Sequence, residues 1–162
     1  MERGMFDITI VGKVENKRYI KKYVRDILTH FFKDRIRREI PITIKFCNYL
    51  EGDYGQCIGT RQYALIEVAQ KVQGKRKRKR TQKFDQVLET IAHELIHAKQ
   101  FLRGEINQRN LIWRGKSDKY RNRPYDCRKL SYRKTPWEKE AFSQEKRLKI
   151  TYWDKQYKQL IK

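Results

Sequence analysis

Thr90-Ile91-Ala92-His93-Glu94-Leu95-Ile96-His97-Ala98-Lys99-Gln100 decides how the rest of the chain is read. His93 and His97 stand four apart, so on a helix both imidazoles leave one face, a single turn from each other. Two neutral imidazoles at that spacing can bind one Zn²⁺, each at roughly 2.0–2.1 Å. Glu94, beside the first histidine, is placed to take a proton from an activated water rather than to ligate. Three fixed positions can arise by chance, but the flanking residues argue for a buried helix. Val87, Leu88, Ile91, Leu95, Ala98 and Leu102 recur at helical spacing as an apolar stripe. Neither Pro nor Gly interrupts residues 84–103, and Gly104 follows as a C-terminal stop. Two of the three histidines of the chain lie in this motif. A zinc site is expected here, over a pair of ordinary helix histidines with a salt-bridged Glu.

A catalytic zinc takes three protein ligands and keeps a fourth place for water. No histidine follows His97, so an all-histidine set would need His30, which lies upstream on a different predicted helix and whose expected role is structural. A carboxylate remains. Trp137-Glu138-Lys139-Glu140-Ala141-Phe142 offers Glu138 and Glu140, which face different ways on a helix because they are two apart. That helix opens at Thr135-Pro136-Trp137-Glu138, with Thr135 as cap, Pro136 in the first turn and Glu138 also fitting a capping box.

The segments His93-Glu94-Leu95-Ile96-His97 and Glu138-Lys139-Glu140-Ala141 resemble the two active-site helices of gluzincin metallopeptidases, in which a Glu on a second helix completes the ligand set. The compact layout is similar to minigluzincins, ImmA-like peptidases and small phage metallopeptidases. The resemblance spans residues 42–147 in architecture. It implies an α+β, zincin-like domain with a small sheet, an active-site helix and a second helix bearing the Glu. It also implies a Zn²⁺ cofactor and peptide-bond hydrolysis, with Glu94 as general base. In the Glu-x-x-Ala form the ligand maps onto Glu138, and Phe142 departs from the polar residue that normally follows the Ala. In the thermolysin-like form Glu directly precedes Ala, which maps onto Glu140, with Gln144 as a supporting polar residue. Glu138 is taken as the third ligand and Glu140 as the alternative. SprT-like proteins share the first motif, but their third ligand is generally a histidine, which this chain lacks.

Around the motif the 162 residues read as one domain, 1–162. Residues 6–11 (Phe-Asp-Ile-Thr-Ile-Val) form a β-branched strand ending at Gly12. Asn16 caps a predicted helix whose apolar rhythm runs from Tyr19 to Phe32. Residues 42–46 alternate like a strand after Pro41, and residues 48–59 read as a turn-rich connection. Residues 63–69 make a third strand, taken as an edge that would hold an extended substrate, with Glu67 on its outward face. Residues 74–83 are a basic loop carrying Lys75, Arg76, Lys77, Arg78, Lys79 and Arg80, a run that repels itself and suits phosphate binding. Residues 111–116 suggest a short hairpin arm within a second basic stretch, residues 109–134, where Tyr120, Tyr125 and Tyr132 interleave with cations. Tyr125, Tyr132 and Tyr152 are the candidates for stabilising an oxyanion.

Composition adds a second theme. Forty Lys and Arg against 19 Asp and Glu give a net charge of +21, with 38% hydrophobic residues and a mean hydropathy of −0.96. Such an excess predicts salt-sensitive attraction to nucleic acid or to an acidic partner. The N-terminus lacks the apolar core of a signal peptide, and no run approaches the ~20 residues of a membrane span. Cys47, Cys57 and Cys127 read as free thiols. A cytoplasmic protein is expected (host cytoplasm or virion if phage-encoded), not secreted, with a protein or peptide substrate. The sequence sets no oligomeric state. The leading expectation is a zinc metallopeptidase acting near nucleic acid. The alternatives are a basic nucleic-acid-binding or virion-associated protein with a structural or vestigial zinc site, and another zinc hydrolase on the same scaffold.

Overall fold

The computed structural model describes residues 5–33, 39–74, 78–107, 111–115 and 123–161. Strand β1 (Phe6–Val11) buries Phe6 and Ile8 and turns Asp7 and Thr9 outward. The same period-2 rule shapes β2 (Ile40–Tyr49), where Ile40, Ile42, Ile44 and Phe46 are buried. Pro41 sits inside β2 rather than before it. The Ile40 N–H bonds the Met5 carbonyl on the β1 side, so the ring nitrogen of Pro41 faces the side where β4 pairs only from Ile42. β1, β2 and β4 (Ala64–Gln73) are parallel neighbours.

Two antiparallel strands follow one another along the far side of β4. β3 (Gly55–Gly59) pairs with its first half, and β5 (Lys79–Thr81) with its end. The expected edge strand at residues 63–69 is therefore interior, between β2 and β3, because the glycine-bounded segment Gly55-Gln56-Cys57-Ile58-Gly59 is itself a strand. Its two short glycine ends made it read as turn. Glu67 does lie on the outward face of the sheet, where it accepts a hydrogen bond from Gln56. The expected basic loop at 74–83 is likewise corrected: Lys79, Arg80 and Thr81 are a strand, and Gly74 and Arg78 close the β4–β5 hairpin through a 2.7 Å backbone hydrogen bond. Lys75, Arg76 and Lys77 lie outside the described residues. A β-ladder tolerates a basic strand when every side chain on it is exposed, as here.

One face of the sheet carries α1 (Lys17–Phe31) and α2 (Phe84–Leu102). Ile20, Tyr23, Val24, Ile27 and Leu28 of α1 and Val87, Leu88, Ile91 and Leu95 of α2 join the buried strand residues in one core. The Tyr23 hydroxyl donates to the Leu88 carbonyl at 2.8 Å and ties the two helices together. Asn16 does occupy the N-cap position of α1, but in left-handed backbone (φ 61) and without a side-chain cap. Gly104 ends α2 as expected, with φ 68.

Beyond α2 the chain forms a small antiparallel sheet of β6 (Ile106–Asn107), β7 (Ile112–Trp113) and β8 (Tyr125–Asp126). Within the predicted arm at 111–116, residues 112–113 are thus the middle strand of three, and Lys116 lies outside the described residues. α3 (Pro136–Lys149) packs against α2 and runs into a π-turn, Ile150–Asp154, whose Trp153 wedges between Tyr23 and Phe84. The domain is α+β. Among the described residues, no helix is long and apolar enough to cross a membrane. The three cysteines are unpaired.

Candidate metal centre

α2 presents His93 and His97 on the face turned toward α3, one helical turn apart. Their Nε2 atoms are 3.2 Å from each other. Glu138, in the first turn of α3, reaches back so that its carboxylate oxygens lie 3.0 Å from His97 Nε2 and 3.3 Å from His93 Nε2. Ligands held about 2.0–2.1 Å from a tetrahedral zinc stand about 3.3 Å apart. The two Nε2 atoms meet that separation, and each faces a different oxygen of Glu138. Taken one atom per residue, the three donors lie within 4.8 Å of one another, a group that could hold one ion. Glu138 is 1% exposed, and its Oε2 has no hydrogen-bond partner. A buried carboxylate oxygen with an ion-pair contact to His93 but no hydrogen bond leaves room for a further positive partner.

The far nitrogens of both rings are fixed. His97 Nδ1 donates to Gln100 Oε1 at 2.8 Å, and Gln100 Nε2 donates to the Trp137 carbonyl at 3.1 Å. His93 Nδ1 donates to Glu145 Oε2 at 2.6 Å. These bonds orient both rings so that their Nε2 atoms face Glu138. Sequence reasoning missed Gln100 and Glu145. Gln100 is one turn beyond His97 minus one residue, the i+3 position, and Glu145 follows Glu138 by two turns; helical spacing held the signal for both. Gln144, expected in the supporting role, is one position off the face that meets α2. Phe142 covers the site from the same face, its ring 4.8 Å from that of His93.

Glu140 points elsewhere. It accepts from Lys99 Nζ at 2.6 Å and from Gln100 Nε2 at 3.3 Å, so it braces the α2–α3 contact. The capping-box role of Glu138 is also set aside: Thr135 makes no side-chain cap, its hydroxyl donating instead to the Tyr132 carbonyl at 2.6 Å. His30 packs against Phe31 and Tyr152, away from the site, as its structural reading requires. Tyr152 is thereby excluded from the cleft, and Tyr125 belongs to the small sheet. Tyr132 alone of the three lines the cleft, beside Glu138.

No family model matches the chain, and no curated protein or solved structure matches it. The likeness to gluzincins therefore rests on the residues themselves.

Electrostatics sharpen the picture. Burial opposes the charge on Glu138, yet the two imidazoles outweigh it and bring its pKa down to about 2. Burial likewise disfavours protonated His93, but Glu138 and Glu145 raise its pKa to about 10. The positive charge that the cluster holds as it stands is thus a proton on His93. Glu94 is 6% exposed, and burial lifts its pKa to about 7 against the pull of His97 and His93. A cleft of about 440 Å³ opens over Glu94, His93 and Glu138, with His97 behind them. Among the described residues, Asp53, Glu89 and Glu145 join them in its lining, against a single cation, Arg133. β3 forms one lip. A Cβ on Gly55 would come within 2.7 Å of Thr90 Cγ2 and 3.2 Å of Glu94 Cγ, so only glycine lets the strand approach α2 this closely.

Proposed function

We propose that the protein is a zinc metallopeptidase of the gluzincin type. The carrying observation is the convergence of His93 Nε2, His97 Nε2 and the Glu138 carboxylate within 3.3 Å, with Glu94 buried beside them under an open cleft. Zinc, when bound by these three residues, would supply Lewis-acid polarisation of the scissile carbonyl and lower the pKa of the attacking water. Glu94 is the general base. A carboxyl with a pKa of about 7 can take the proton of the water at neutral pH and return it to the leaving amine. Tyr132 donates to the developing oxyanion from across the cleft. Among the described residues the outer edge of β3 pairs with no strand, so its N–H and C=O groups can hold an extended peptide by strand addition. The expectation that an edge strand presents the substrate is kept, but the strand is β3.

The cleft is acidic while the molecule carries +21, so a cationic peptide segment fits the cleft and a polyanion fits the exterior. Basic proteins held on nucleic acid satisfy both. Metal analysis should find about one zinc per chain in wild type and in Glu94→Gln, a strong loss in His97→Ala and Glu138→Gln, and full retention in Glu140→Gln. Casein and Lys/Arg-rich peptides should be cleaved by wild type and not by Glu94→Gln. Zinc with no cleavage would support the structural-site alternative, and a folded wild type without zinc affinity would reject the reading.

A further inference from the structure

A cavity of about 660 Å³, larger than the cleft over the metal ligands, lies at the end of the sheet where β1 and β2 finish and α2 begins. Its floor is apolar: Phe46 from β2, Phe84 and Val87 from the first turn of α2, and Val14 from the β1–α1 connection. Among the described residues its rim is cationic, with Lys13, Lys17 and Lys71 set against one acid, Glu15. All three lysines are exposed, so their ammonium groups are available to a ligand. Asn48 adds an exposed amide at the mouth, able to bond the edge of a heteroaromatic ring. The starts of α1 and α2 both open here, and neither carries a side-chain cap.

Flat apolar walls inside and cations outside suit an aromatic base with a phosphate. The volume falls in the range of small-ligand sites, about 300–1,000 Å³. What lies next to the cavity extends the ligand beyond one nucleotide. Thr81 of β5 is part of the wall, and the same short segment continues outward as Arg80, Lys79 and Arg78, all exposed. Lys71 pairs in register with Thr81 on one side and with Tyr49 on the other. Lys79 Nζ lies 4.3 Å over the Tyr49 ring. Cations and an aromatic thus run in a line from the cavity mouth along the hairpin.

We propose that this cavity and the β4–β5 hairpin bind single-stranded nucleic acid, with one unstacked base in the cavity and the adjoining phosphates along Lys13, Lys17, Lys71 and Arg78–Arg80. Duplex is disfavoured because its bases are stacked and cannot enter. A free nucleotide would have no use for the hairpin cations. The site is independent of the metal centre and does not rest on the peptidase reading.

The test is fluorescence anisotropy of a labelled oligothymidine, in EDTA so that cleavage plays no part. Wild type should bind the single strand at least about 10-fold tighter than a duplex of equal length, and AMP should not compete at comparable concentration. Lys13→Glu with Lys71→Glu should weaken binding about 10-fold or more and lower the salt slope by about 1.4. Lys129→Glu with Lys155→Glu, the same charge change at exposed positions elsewhere, should cost less than about 3-fold. Val14→Trp fills the cavity at constant charge and should weaken binding about 10-fold. Ultraviolet cross-linking of the wild type should place the adduct on the peptides containing Phe46 or Phe84, a readout that needs no variant to fold. Equal losses in the two double variants, tighter binding of duplex, full competition by AMP, or cross-links confined to other peptides would each overturn the proposal.

Discussion

Gln100→Leu is the most informative single change to the candidate metal centre. Gln100 is fully buried and does three things at once: it accepts from His97 Nδ1 at 2.8 Å, donates to the Trp137 carbonyl at 3.1 Å and approaches Glu140 at 3.3 Å. Leucine keeps the volume and removes every polar atom. The His97 Nδ1–H is then buried without an acceptor, which costs about 1–3 kcal/mol and falls on the metal-free fold. The ring is also released to rotate, so Nε2 no longer has a fixed aim. Losing a partner of this kind lowers metal affinity about 10–100-fold, or about 1.4–2.7 kcal/mol. A competition titration against a chromophoric zinc chelator reads the second effect, and melting of the EDTA-treated protein reads the first. Gln100→Glu, which keeps an acceptor for Nδ1, should recover most of the affinity. If Gln100→Leu binds zinc within threefold of wild type, packing alone orients His97 and the hydrogen-bonded relay from α2 to α3 has no positioning role.

Four other outcomes are expected. Gly55→Ala should destabilise the protein by about 1–3 kcal/mol, since the new Cβ meets Thr90 and Glu94; an unchanged thermal midpoint would contradict the close approach of β3. Tyr132→Phe should retain zinc and lower kcat about 10–1,000-fold with KM little changed, whereas Tyr125→Phe and Tyr152→Phe should be near neutral in peptide-cleavage assays. Zinc uptake near pH 7.5 should release at least one proton, because against burial Glu138 raises the pKa of both His93 and His97, seen as a buffer-dependent enthalpy in titration calorimetry. The same shifts set the pH profile of the metal-free fold. His93 has its folded pKa raised to about 10, so its contribution is fully present below its unfolded value near 6.5 and is lost as pH rises toward 10. Glu138 has its pKa lowered to about 2, so its contribution is present above about 4.5 and is lost as pH falls toward 2. Glu94, raised to about 7, works the other way and weakens the fold as it ionises between about 4.5 and 7. Chemical denaturation across pH in EDTA should therefore find the site contributing most near pH 5.

The helices were legible in the sequence from their 3.6-residue rhythm, helped by boundary signals at two of them: Gly104 closes α2, and Pro136 opens α3. β1 was legible to the residue, a run of six rich in β-branched side chains that stops before Gly12. β3 was not, because five residues flanked by glycines carry too little periodicity, and their strand character comes from pairing with β4. β5 failed for a related reason: its charge says exposed, which is true, but exposure does not forbid a ladder. Of the candidate site, the spacing of the two histidines needed only the helix. Glu138 over Glu140 needed the direction in which α3 meets α2, which no local pattern encodes. Asn16 and Thr135 had the right residue type at the right place, yet neither caps with its side chain, so position was readable and the bond was not.

The ligand set also has a topological side. His93 and His97 belong to α2 and Glu138 to α3, and the chain between them carries the three two-residue strands of the small sheet. An ion gripping all three side chains would act as a staple across that loop. Closing a loop of about 40 residues removes about 4 kcal/mol of freedom from the unfolded chain. The same atoms that would do the chemistry would then hold the second half of the molecule onto the first, and zinc starvation would be felt as loosening of α3 from α2 as much as loss of turnover.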